Sequence, residues 1–429
     1  MRISLERMEE VLDDNFVVVI GQGYVGLPLS MAAVAAGYRV LGIDLDEHRV
    51  NLISAGESPI RDISSDTLCS SIASKQYFVT TDYTQCYRFS CAIITVPTPL
   101  RDGQPDLSFI ESAGQSLAPF ISRGCTVILE STTYPGTTEE LLVPILEKGS
   151  GLRAGLDFHV GYSPERIDPG NAEWGLLNTP KVVSGIGNDS LRAVDGFYSS
   201  LGISTVQVSG TREAELTKLL ENTFRHVNIA LVNELAMFSS ALGVDIWESI
   251  EAASTKPFGF MKFTPGPGVG GHCLPVDPSY LSWAIQEKTG GNFRFVELAN
   301  TVNSYMPQFV VNKALELLKE QNEEIRGGRV LIAGLAYKPD TSDTRESPSL
   351  AVADLLASRG IEVFAVDKHV PDYSWPPGVI RLHEGHQKEF PLGLLLTHHT
   401  EVGGFHHLEG CQTILDTRKV LSGPNVRHL

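Results

Sequence analysis

The sequence predicts an α/β fold in which two doubly wound parallel-sheet domains are joined by a long central helix. Short β-branched runs alternate with segments of helical periodicity along most of the chain, which is typical of βαβ units. Residues 211–242 contain neither proline nor glycine, and a helix of this length can connect two domains. Residues 330–367 then repeat the strand–turn–helix–strand outline of residues 17–44.

The predicted elements follow this alternation in order. Strands of the first half are expected at residues 17–20, 39–43, 91–96, 126–129 and 158–161, and helices at 27–36 and 107–120. Gly243 follows the long helix as a C-cap. In the second half a helix opens at Ser347 and Pro348, because proline is favoured at the first helical position. Strands of the second half are expected at residues 330–333, 361–366, 394–397 and 413–415.

Composition excludes several classes of partner. The 429 residues carry 51 acidic and 34 basic side chains, a formal net charge of −17. Nucleic acids and anionic membranes require a cationic face, so we expect neither as the main partner. An anionic small ligand remains compatible, because backbone N–H groups and a few Arg or Lys side chains hold phosphate locally. Six scattered cysteines without a C-x-x-C pair predict a reducing, cytoplasmic location.

One segment has the length of a membrane span. Residues 16–38 carry no charged side chain. They contain several glycines and Pro28, and residues 9–14 before them are acidic, whereas a signal peptide has a basic lead-in. A soluble strand–turn–helix is therefore the preferred interpretation.

This strand–turn–helix contains a G-x-G-x-x-G motif. Gly21 makes the tight turn, Gly23 lets the backbone approach a pyrophosphate, and Gly26 allows close helix packing. Asp44, at the end of the next strand, would accept both ribose hydroxyls and repel a 2′-phosphate, which favours NAD over NADP. Arg49 keeps NADP open, because an arginine there would reach such a phosphate. These features predict Rossmann-like domains.

A second glycine-rich loop carries a thiol. Four glycines lie within residues 266–271, followed by Cys273 and Asp277. A thiol beside a carboxylate, after a loop that approaches a ligand closely, suits a nucleophile that forms a covalent intermediate. A buried, inert cysteine is the alternative. Lys218 and Asn222, four residues apart, share one face of the long helix.

Five motifs together resemble the UDP-glucose/GDP-mannose dehydrogenase family, in the same order from about residue 16 to residue 421. They are residues 21–26, Ser163-Pro-Glu-Arg, the helix with Lys218 and Asn222, residues 266–277, and residues 334–347. The resemblance implies oxidation of the C6 alcohol of a nucleotide sugar to a carboxylate with two NAD⁺ in succession. Cys273 would carry a thiohemiacetal and then a thioester that water hydrolyses, and the product would serve polysaccharide biosynthesis.

The resemblance also implies a role for each catalytic residue. Lys218 and Asn222 would stabilise the oxyanion and assist proton transfer. Asp277 would orient or deprotonate a water, and Thr132 would hold that water. Glu165 would serve hydrolysis of the thioester.

Binding sets and domains follow from the same resemblance. The predicted cofactor set is Gly21, Gly23, Tyr24, Val25, Gly26, Asp44, Arg49, Thr98, Thr132 and Arg345. The predicted substrate set is Arg166, Ile167, Lys218, Asn222, Arg225, Gly270, Tyr337, Lys338 and Arg418. The predicted domains are an NAD-binding domain at 1–210, a central helical domain with the cysteine loop and dimer interface at 211–310, and a domain binding the nucleotide sugar at 311–429.

The second α/β half keeps Gly334 but loses the full glycine motif, as expected of a domain that holds a nucleotide sugar. No metal is expected, because the implied chemistry needs none. A histidine group offers an alternative metal site at His398, His399, His406 and His407.

The segment Lys256-Pro-Phe-Gly-Phe bears on which sugar is oxidised. Family members acting on UDP-N-acetylmannosamine tend to carry His-Pro-Arg there, whereas this chain has Pro257 and Gly259 at the corresponding positions. The segment resembles the branch that oxidises UDP-N-acetylglucosamine, whose relatives also accept UDP-glucose. UDP-N-acetylmannosamine and dTDP-glucose remain alternative substrates.

Two other functions stay open at this point. A single-step, two-electron alcohol dehydrogenase shares the dinucleotide fold and a helix lysine and has no need of Cys273. A non-catalytic protein that binds nucleotide sugars is the other.

We also expect a homodimer or a higher homo-oligomer, because the long helix has an apolar stripe that suits core and dimer packing. The stripe comprises Leu216, Leu219, Leu220, Phe224, Val227, Leu231, Leu235 and Phe238.

Overall fold

The computed structural model describes residues 12–60, 62–167, 173–271, 274, 276–383, 388–400 and 406–429. The chain divides into two compact units, Met1–Glu221 and Asn222–Leu429. The division into three domains at 1–210, 211–310 and 311–429 stays a prediction.

A six-stranded parallel sheet forms the centre of the first unit. The strands of this unit are β1 (Asp13–Ile20), β2 (Arg39–Ile43), β3 (Tyr77–Thr80), β4 (Phe89–Ile94), β5 (Leu100–Arg101), β6 (Gln104–Pro105), β7 (Thr126–Leu129), β8 (His159–Tyr162), β9 (Lys181–Val183) and β10 (Thr205–Gln207). The sheet has the spatial order β3-β2-β1-β4-β7-β8, a doubly wound arrangement. β5 and β6 form a small antiparallel pair, and β9 and β10 a small parallel one.

Helices cover both faces of this sheet, which accounts for the apolar sequences of its central strands. They are α1 (Gly26–Ala35), α2 (Glu47–Ser54), α3 (Ser65–Ala73), α4 (Ser108–Leu117), α5 (Val143–Ser150) and α6 (Asn188–Ser200), with a π-helical stretch at Thr138–Leu142. Because both faces of the sheet are covered, its central strands are continuous apolar runs rather than alternating ones. The last five residues of β1 are buried in this way.

The long predicted helix is present with the predicted bounds. It is α7 (Thr211–Leu242), which runs through Glu221, where the first unit ends. The helices after it are α8 (Ile246–Ser254), α9 (Asp277–Thr289), α10 (Arg294–Glu320) and α11 (Pro348–Ala357). Ser347 caps α11 and Pro348 is its first residue, as predicted.

A second six-stranded parallel sheet forms the centre of the second unit. Its strands are β11 (Arg329–Ala333), β12 (Glu362–Val366), β13 (Ile380–Arg381), β14 (Phe390–Leu395), β15 (Cys411–Asp416) and β16 (Val426–His428). Their spatial order, β13-β12-β11-β14-β15-β16, repeats that of the first sheet. The predicted α/β class with two doubly wound sheets and a long helix is confirmed.

Several edge strands were not predicted from the sequence. β3 and β13 lie at the outer edges of the two sheets, and β16 closes the second sheet on the other side. These strands are short and partly exposed, so they lack the apolar runs by which the central strands were found. Among the described residues, none of the helices combines the length and apolarity needed to cross a bilayer.

Candidate active site

The first glycine motif packs as its spacing predicts. Gly21 has a φ of +96°, and a Cβ added there would lie 2.7 Å from the carbonyl oxygen of Thr95. A Cβ at Gly26 would lie 1.8 Å from the carbonyl oxygen of Gly21. At Gly23 no atom lies within 4 Å of the Cβ position. The first and third glycines therefore allow close packing, and the second leaves open space at the start of α1, where backbone N–H groups attract phosphate.

Asp44 lies at the carboxyl end of β2 with its carboxylate buried. The carboxylate accepts hydrogen bonds from the N–H groups of Gln22 at 2.7 Å and Asp46 at 2.9 Å. The Arg49 guanidinium donates to both carboxylate oxygens, at 3.0 and 2.8 Å. The predicted ribose acceptor therefore also fixes the glycine turn, and it holds Arg49 beside it.

Gln22, which is not among the predicted site residues, fills the space behind the turn. Its Nε2 donates to the carbonyl oxygen of Val19 at 2.8 Å. Its Oε1 accepts from the hydroxyl groups of Tyr77 at 2.7 Å and Ser30 at 3.1 Å. A Cβ at Gly42 would lie 2.7 Å from the Gln22 side chain, so the glycine in β2 makes room for it.

The other predicted cofactor contacts of this unit lie around the same edge of the sheet. Tyr24 is 46% exposed within the turn, and Val25 is the N-cap residue of α1. Thr98 is partly buried in the loop that follows β4. β1 and β4 are neighbouring parallel strands, so their carboxyl ends lie side by side, where doubly wound sheets bind ligands.

Thr132 lies just beyond β7, and Glu215 of α7 anchors its loop. The buried Glu215 carboxylate accepts the N–H of Gly136 at 2.5 Å, and the N–H and hydroxyl of Thr138 at 2.8 and 2.7 Å. Burial raises the pKa of Glu215 to about 7, although these donors act in the opposite direction. The predicted water-holding threonine is thus tied to the helix that carries Lys218.

Glu165 belongs to a buried charge cluster that includes Lys181 and Glu130. Lys181 Nζ lies 2.7 Å from Glu130 Oε1 and 3.3 Å from Glu165 Oε2. The backbone N–H groups of Arg166 and Ile167 donate to Glu165 Oε1 at 2.6 and 2.7 Å. The carboxylate predicted to serve hydrolysis is therefore oriented at both oxygens, and Ile167 contributes through its backbone.

Lys218 is buried on α7, and its positive charge is one of the factors that lower the pKa of Glu165. Arg166, predicted to contact substrate, donates to Glu221 from Nε at 2.9 Å and from Nη2 at 2.6 Å. Within the first unit the structure therefore brings Glu165, Arg166, Ile167 and Lys218 together.

In the second unit the structure brings together Asn222 and Asp277. Asn222 Nδ2 donates to Asp277 Oδ2 at 2.5 Å. Asp277 is the first residue of α9 and is 3% exposed, and Pro278 follows it in the first helical turn. Cys273, the predicted nucleophile, lies outside the described residues.

The glycine-rich loop before Cys273 packs closely on neighbouring loops. Gly266 N–H donates to Asn233 Oδ1 on α7 at 2.9 Å. A Cβ at Gly270 would lie 2.7 Å from the carbonyl oxygen of Glu346 and 2.9 Å from Tyr337 Cβ. Gly271 has a φ of +86°, and a Cβ there would lie 2.7 Å from the Tyr337 ring. Two predicted substrate residues, Gly270 and Tyr337, are therefore in contact.

The basic residues predicted in the second unit differ in their surroundings. Lys338 Nζ lies 5.7 Å from the centre of the Tyr337 ring. Arg418 Nε donates to a backbone carbonyl at 2.7 Å, and burial lowers the pKa of its guanidinium to about 10, so it stays protonated at neutral pH. Arg345 donates to Asp343 at 2.9 and 2.7 Å, and Arg225 is exposed on α7.

Among the described residues, the group close enough to share a metal ion is Asp340, His369 and His399, rather than the four histidines considered from the sequence. Both His399 nitrogens are already engaged. Nδ1 accepts the Asp340 N–H at 2.9 Å, and Nε2 lies 3.2 Å from Asp367 Oδ2. His399 therefore ties the loop after Tyr337 and Lys338 to the end of β12.

Comparison with known proteins relates the whole chain to one family. Models of the UDP-glucose/GDP-mannose dehydrogenase family match it in three parts: the NAD binding domain at residues 15–201, the central domain at 212–305 and the UDP binding domain at 331–423. The first match confirms the prediction of NAD as cofactor, and the open space at Gly23 and the carboxylate of Asp44 fit that dinucleotide.

Individual relatives and solved structures agree with these matches. A UDP-N-acetyl-D-mannosamine dehydrogenase of Pyrococcus horikoshii is 36% identical over 355 residues, 82% of this chain and 84% of its own length. A UDP-N-acetyl-D-glucosamine 6-dehydrogenase of Pseudomonas aeruginosa is 37% identical over 363 residues, 84% of each chain. A solved structure of a UDP-D-ManNAc dehydrogenase from Pyrococcus horikoshii has a TM-score of 0.85 and 31% identity, covering 96% of this chain and 98% of its own.

For Gly23 and Gly26 of the motif we expect different effects of an added methyl group. Gly26→Ala is expected to lower the melting temperature by several degrees, because its Cβ meets a backbone oxygen. Gly23→Ala is expected to leave the melting temperature nearly unchanged and to weaken NAD binding by about tenfold or more, because the methyl group occupies the space that a pyrophosphate needs. Thermal melting and NAD titration measure both, and wild-type NAD affinity of Gly23→Ala would contradict the assignment.

Glu215 predicts a specific pH dependence of stability. Its pKa is raised in the folded chain, so the folded state favours the protonated carboxyl. The stability that this proton contributes is present below about pH 4.5 and is lost as the pH rises through about 7, a change on the order of 3 kcal/mol. Glu215→Gln cannot titrate, so its free energy of unfolding, measured by urea denaturation, is expected to vary less between pH 4.5 and 7.

Thr138→Val tests the same titration by changing a hydrogen-bond donor to Glu215. It removes one O–H donor to the carboxylate, so it is expected to raise the pKa of Glu215 further and to extend the pH-dependent loss upward. Equal pH profiles for the wild type and Glu215→Gln would show that Glu215 does not titrate in this range.

Proposed function

The chain belongs to the UDP-glucose/GDP-mannose dehydrogenase family of NAD-dependent nucleotide-sugar dehydrogenases, and on that premise we propose that it oxidises a UDP-sugar at C6 to the uronic acid through Cys273. The observation that carries the proposal is the hydrogen bond between Asn222 and the buried Asp277, four residues beyond that thiol. A single-step alcohol dehydrogenase needs neither the thiol nor this pair.

The overall reaction balances with two equivalents of cofactor. One sugar alcohol, one water and two NAD⁺ give one carboxylate, two NADH and three protons. Bound NAD⁺ supplies the hydride acceptor in each oxidation. Between the two oxidations the Cys273 sulfur adds to the aldehyde carbon and forms a C–S bond, which water breaks after the second oxidation.

The side chains of the first unit suit the proton transfers of this scheme. Lys218, as a buried cation, would stabilise the oxyanion formed at C6. Glu165 is an oriented carboxylate and would accept a proton from the hydrolytic water. Thr132, in the loop that Glu215 anchors, would hold that water. Each of these roles is a proposal supported by position and chemistry.

For the substrate, we propose UDP-N-acetylglucosamine or UDP-glucose. The match of residues 331–423 to a UDP binding domain supports uridine diphosphate over other nucleotides. This chain has Pro257 and Gly259 where the His-Pro-Arg element has its histidine and arginine, so it lacks the two polar side chains of that element. The similarity to a UDP-N-acetyl-D-mannosamine dehydrogenase favours that sugar as the second candidate. Assaying the three UDP-sugars and dTDP-glucose side by side identifies the substrate.

A cytoplasmic, reducing environment is part of the proposal. Five cysteines in the described residues are free thiols, and four of them are buried. A mechanism that depends on a reduced Cys273 requires the same environment.

Cofactor stoichiometry tests the proposal directly. We expect two NADH for each sugar consumed, and loss of uronic acid formation by about a thousandfold in Cys273→Ser, because a serine hydroxyl is a far weaker nucleophile than a thiolate at neutral pH. NADH absorbance and chromatography of the sugar product measure both quantities. Cys69→Ser, at an exposed cysteine, is the matched control and should behave as the wild type. One NADH per sugar would favour the single-step alternative, and none would favour a binding protein.

We further propose that the chain forms at least a homodimer through α7. Among the exposed apolar side chains of α7, four lie at helical spacing in its second half: Leu231 (53%), Leu235 (45%), Phe238 (56%) and Leu242 (71%). Such a stripe on a monomer would be an unusually large apolar patch, and a second copy of the same helix would cover it.

Light scattering after size exclusion tests the dimer. The double variant Leu235→Glu with Phe238→Glu is expected to be monomeric, because two carboxylates would be buried at the interface. Tyr373→Glu adds a charge at another exposed side chain and is expected to remain a dimer. A monomeric wild type would disprove the proposal.

A further inference from the structure

We propose that Lys181 is a positioning residue for Glu165: its ammonium group keeps the Glu165 carboxylate ionised and oriented for hydrolysis of the thioester. This inference rests on the proposed function, in which Glu165 accepts a proton from water. Neither Lys181 nor its second partner, Glu130, belongs to the residue sets that the sequence predicted.

Three acceptor oxygens surround the ammonium group of Lys181. Lys181 Nζ donates to Glu130 Oε1 at 2.7 Å, to Glu165 Oε2 at 3.3 Å and to the carbonyl oxygen of Pro164 at 3.4 Å. An ammonium group has three N–H donors, so all of them have an acceptor. The Lys181 side chain is 4% exposed, and those of Glu130 and Glu165 are 0% and 12% exposed.

The surrounding elements keep the ammonium group in this place. Lys181 begins β9, and its backbone N–H donates to the carbonyl oxygen of Ser204 at 2.8 Å. Its Nζ lies 5.1 Å from the centre of the Tyr198 ring on α6, and the Tyr198 hydroxyl donates to Glu130 Oε1 at 2.5 Å. The Glu130 carboxyl group is therefore a fixed partner that holds Lys181 in position beside Glu165.

The charge balance of the cluster explains why the position of the Lys181 ammonium group matters. Two buried carboxylates share one ammonium group, and without it one of them would have to take up a proton. Burial raises the pKa of Glu165, but the charge of Lys181 and the N–H of Ile167 outweigh it, and the net pKa is lowered. Burial also raises the pKa of Glu130, and there Lys181 only partly offsets it.

The other groups around the cluster do not replace this charge. Lys218 of α7 contributes a second, smaller lowering of the pKa of Glu165. Arg166 is paired with Glu221. Burial raises the pKa of Tyr198, and also that of the Cys91 thiol on β4, so both stay neutral. Lys181 is the cation in contact with both carboxylates, and burial does not neutralise it, because Glu130 and Glu165 raise its own pKa.

The two oxygens of the Glu165 carboxylate have different hydrogen-bond donors. Oε1 accepts the two backbone N–H groups of Arg166 and Ile167, whereas Oε2 faces the ammonium group of Lys181. When Glu165 accepts a proton from water, the positive charge beside Oε2 limits how tightly that proton is held and favours its release for the next turnover.

Lys181→Met tests the inference through the pH profile of kcat. We expect the acidic limb to move upward by about one unit or more, with kcat at pH 7 reduced about tenfold and KM little changed. Rapid mixing at pH 7 should show a burst of two NADH per active site followed by slow turnover, because hydrolysis becomes limiting. Lys181→Arg keeps the charge and is expected to restore most of kcat.

Glu130→Gln gives a shift of opposite sign and remains informative if Lys181→Met does not fold. It removes a like charge near Glu165, so the acidic limb is expected to move to lower pH. Unchanged limbs in both variants, or an equal loss of kcat at every pH without a burst in Lys181→Met, would overturn the inference.

Glu165→Gln separates this inference from the proposed function. Slow turnover after a burst in Glu165→Gln, together with a wild-type pH profile in Lys181→Met, would overturn the role of Lys181 alone. Normal steady-state turnover of Glu165→Gln would instead remove Glu165 from the hydrolytic step, and the inference would fall with it.

Discussion

In both units a buried carboxylate at the end of one strand holds the loop that follows the neighbouring strand. Asp44 accepts the Gln22 N–H at 2.7 Å in the first unit. Asp367 accepts the N–H groups of Leu335 and Ala336 at 2.8 and 3.1 Å in the second. A buried carboxylate without donors is costly, so the strand end and the loop keep this geometry together. The ligand contacts expected at the edge of either sheet depend on loops fixed in this way.

The two loops nevertheless suit different ligands. Gly334 has a φ of +87°, and a Cβ there would lie 2.2 Å from the carbonyl oxygen of Thr397, so it makes the same kind of turn as Gly21. Leu335 and Ala336 after it are fully buried, whereas the position of Gly23 is open. The second loop therefore lacks the place where a dinucleotide backbone would approach, in agreement with its match to a UDP binding domain.

Local signals in the sequence predicted the fold well. The bounds of α7 coincide with the stretch free of proline and glycine, and the glycine spacing located the first turn. Contacts between residues far apart in the sequence could not be predicted, because no local sequence pattern marks Lys181, Glu130 or Glu215 as buried. Their partners lie far away in the sequence and meet only when β7, β9 and α7 have packed. For Cys273 the local pattern left a buried, inert thiol as an alternative, and its proposed nucleophilic role rests on the family resemblance.

The excess of acidic residues is compatible with anionic ligands because carboxylates orient an arginine of the predicted binding sets in each unit. Arg166 is paired with Glu221 at 2.6 Å, and Arg345 with Asp343 at 2.7 Å. A guanidinium group held by a carboxylate has a defined direction before any ligand arrives, so less side-chain freedom is lost on binding. The net charge of −17 describes the whole chain, whereas under the proposed function recognition of a phosphate would depend on these few oriented donors and on backbone N–H groups. A more basic surface would raise the rate of encounter with an anion without supplying that orientation.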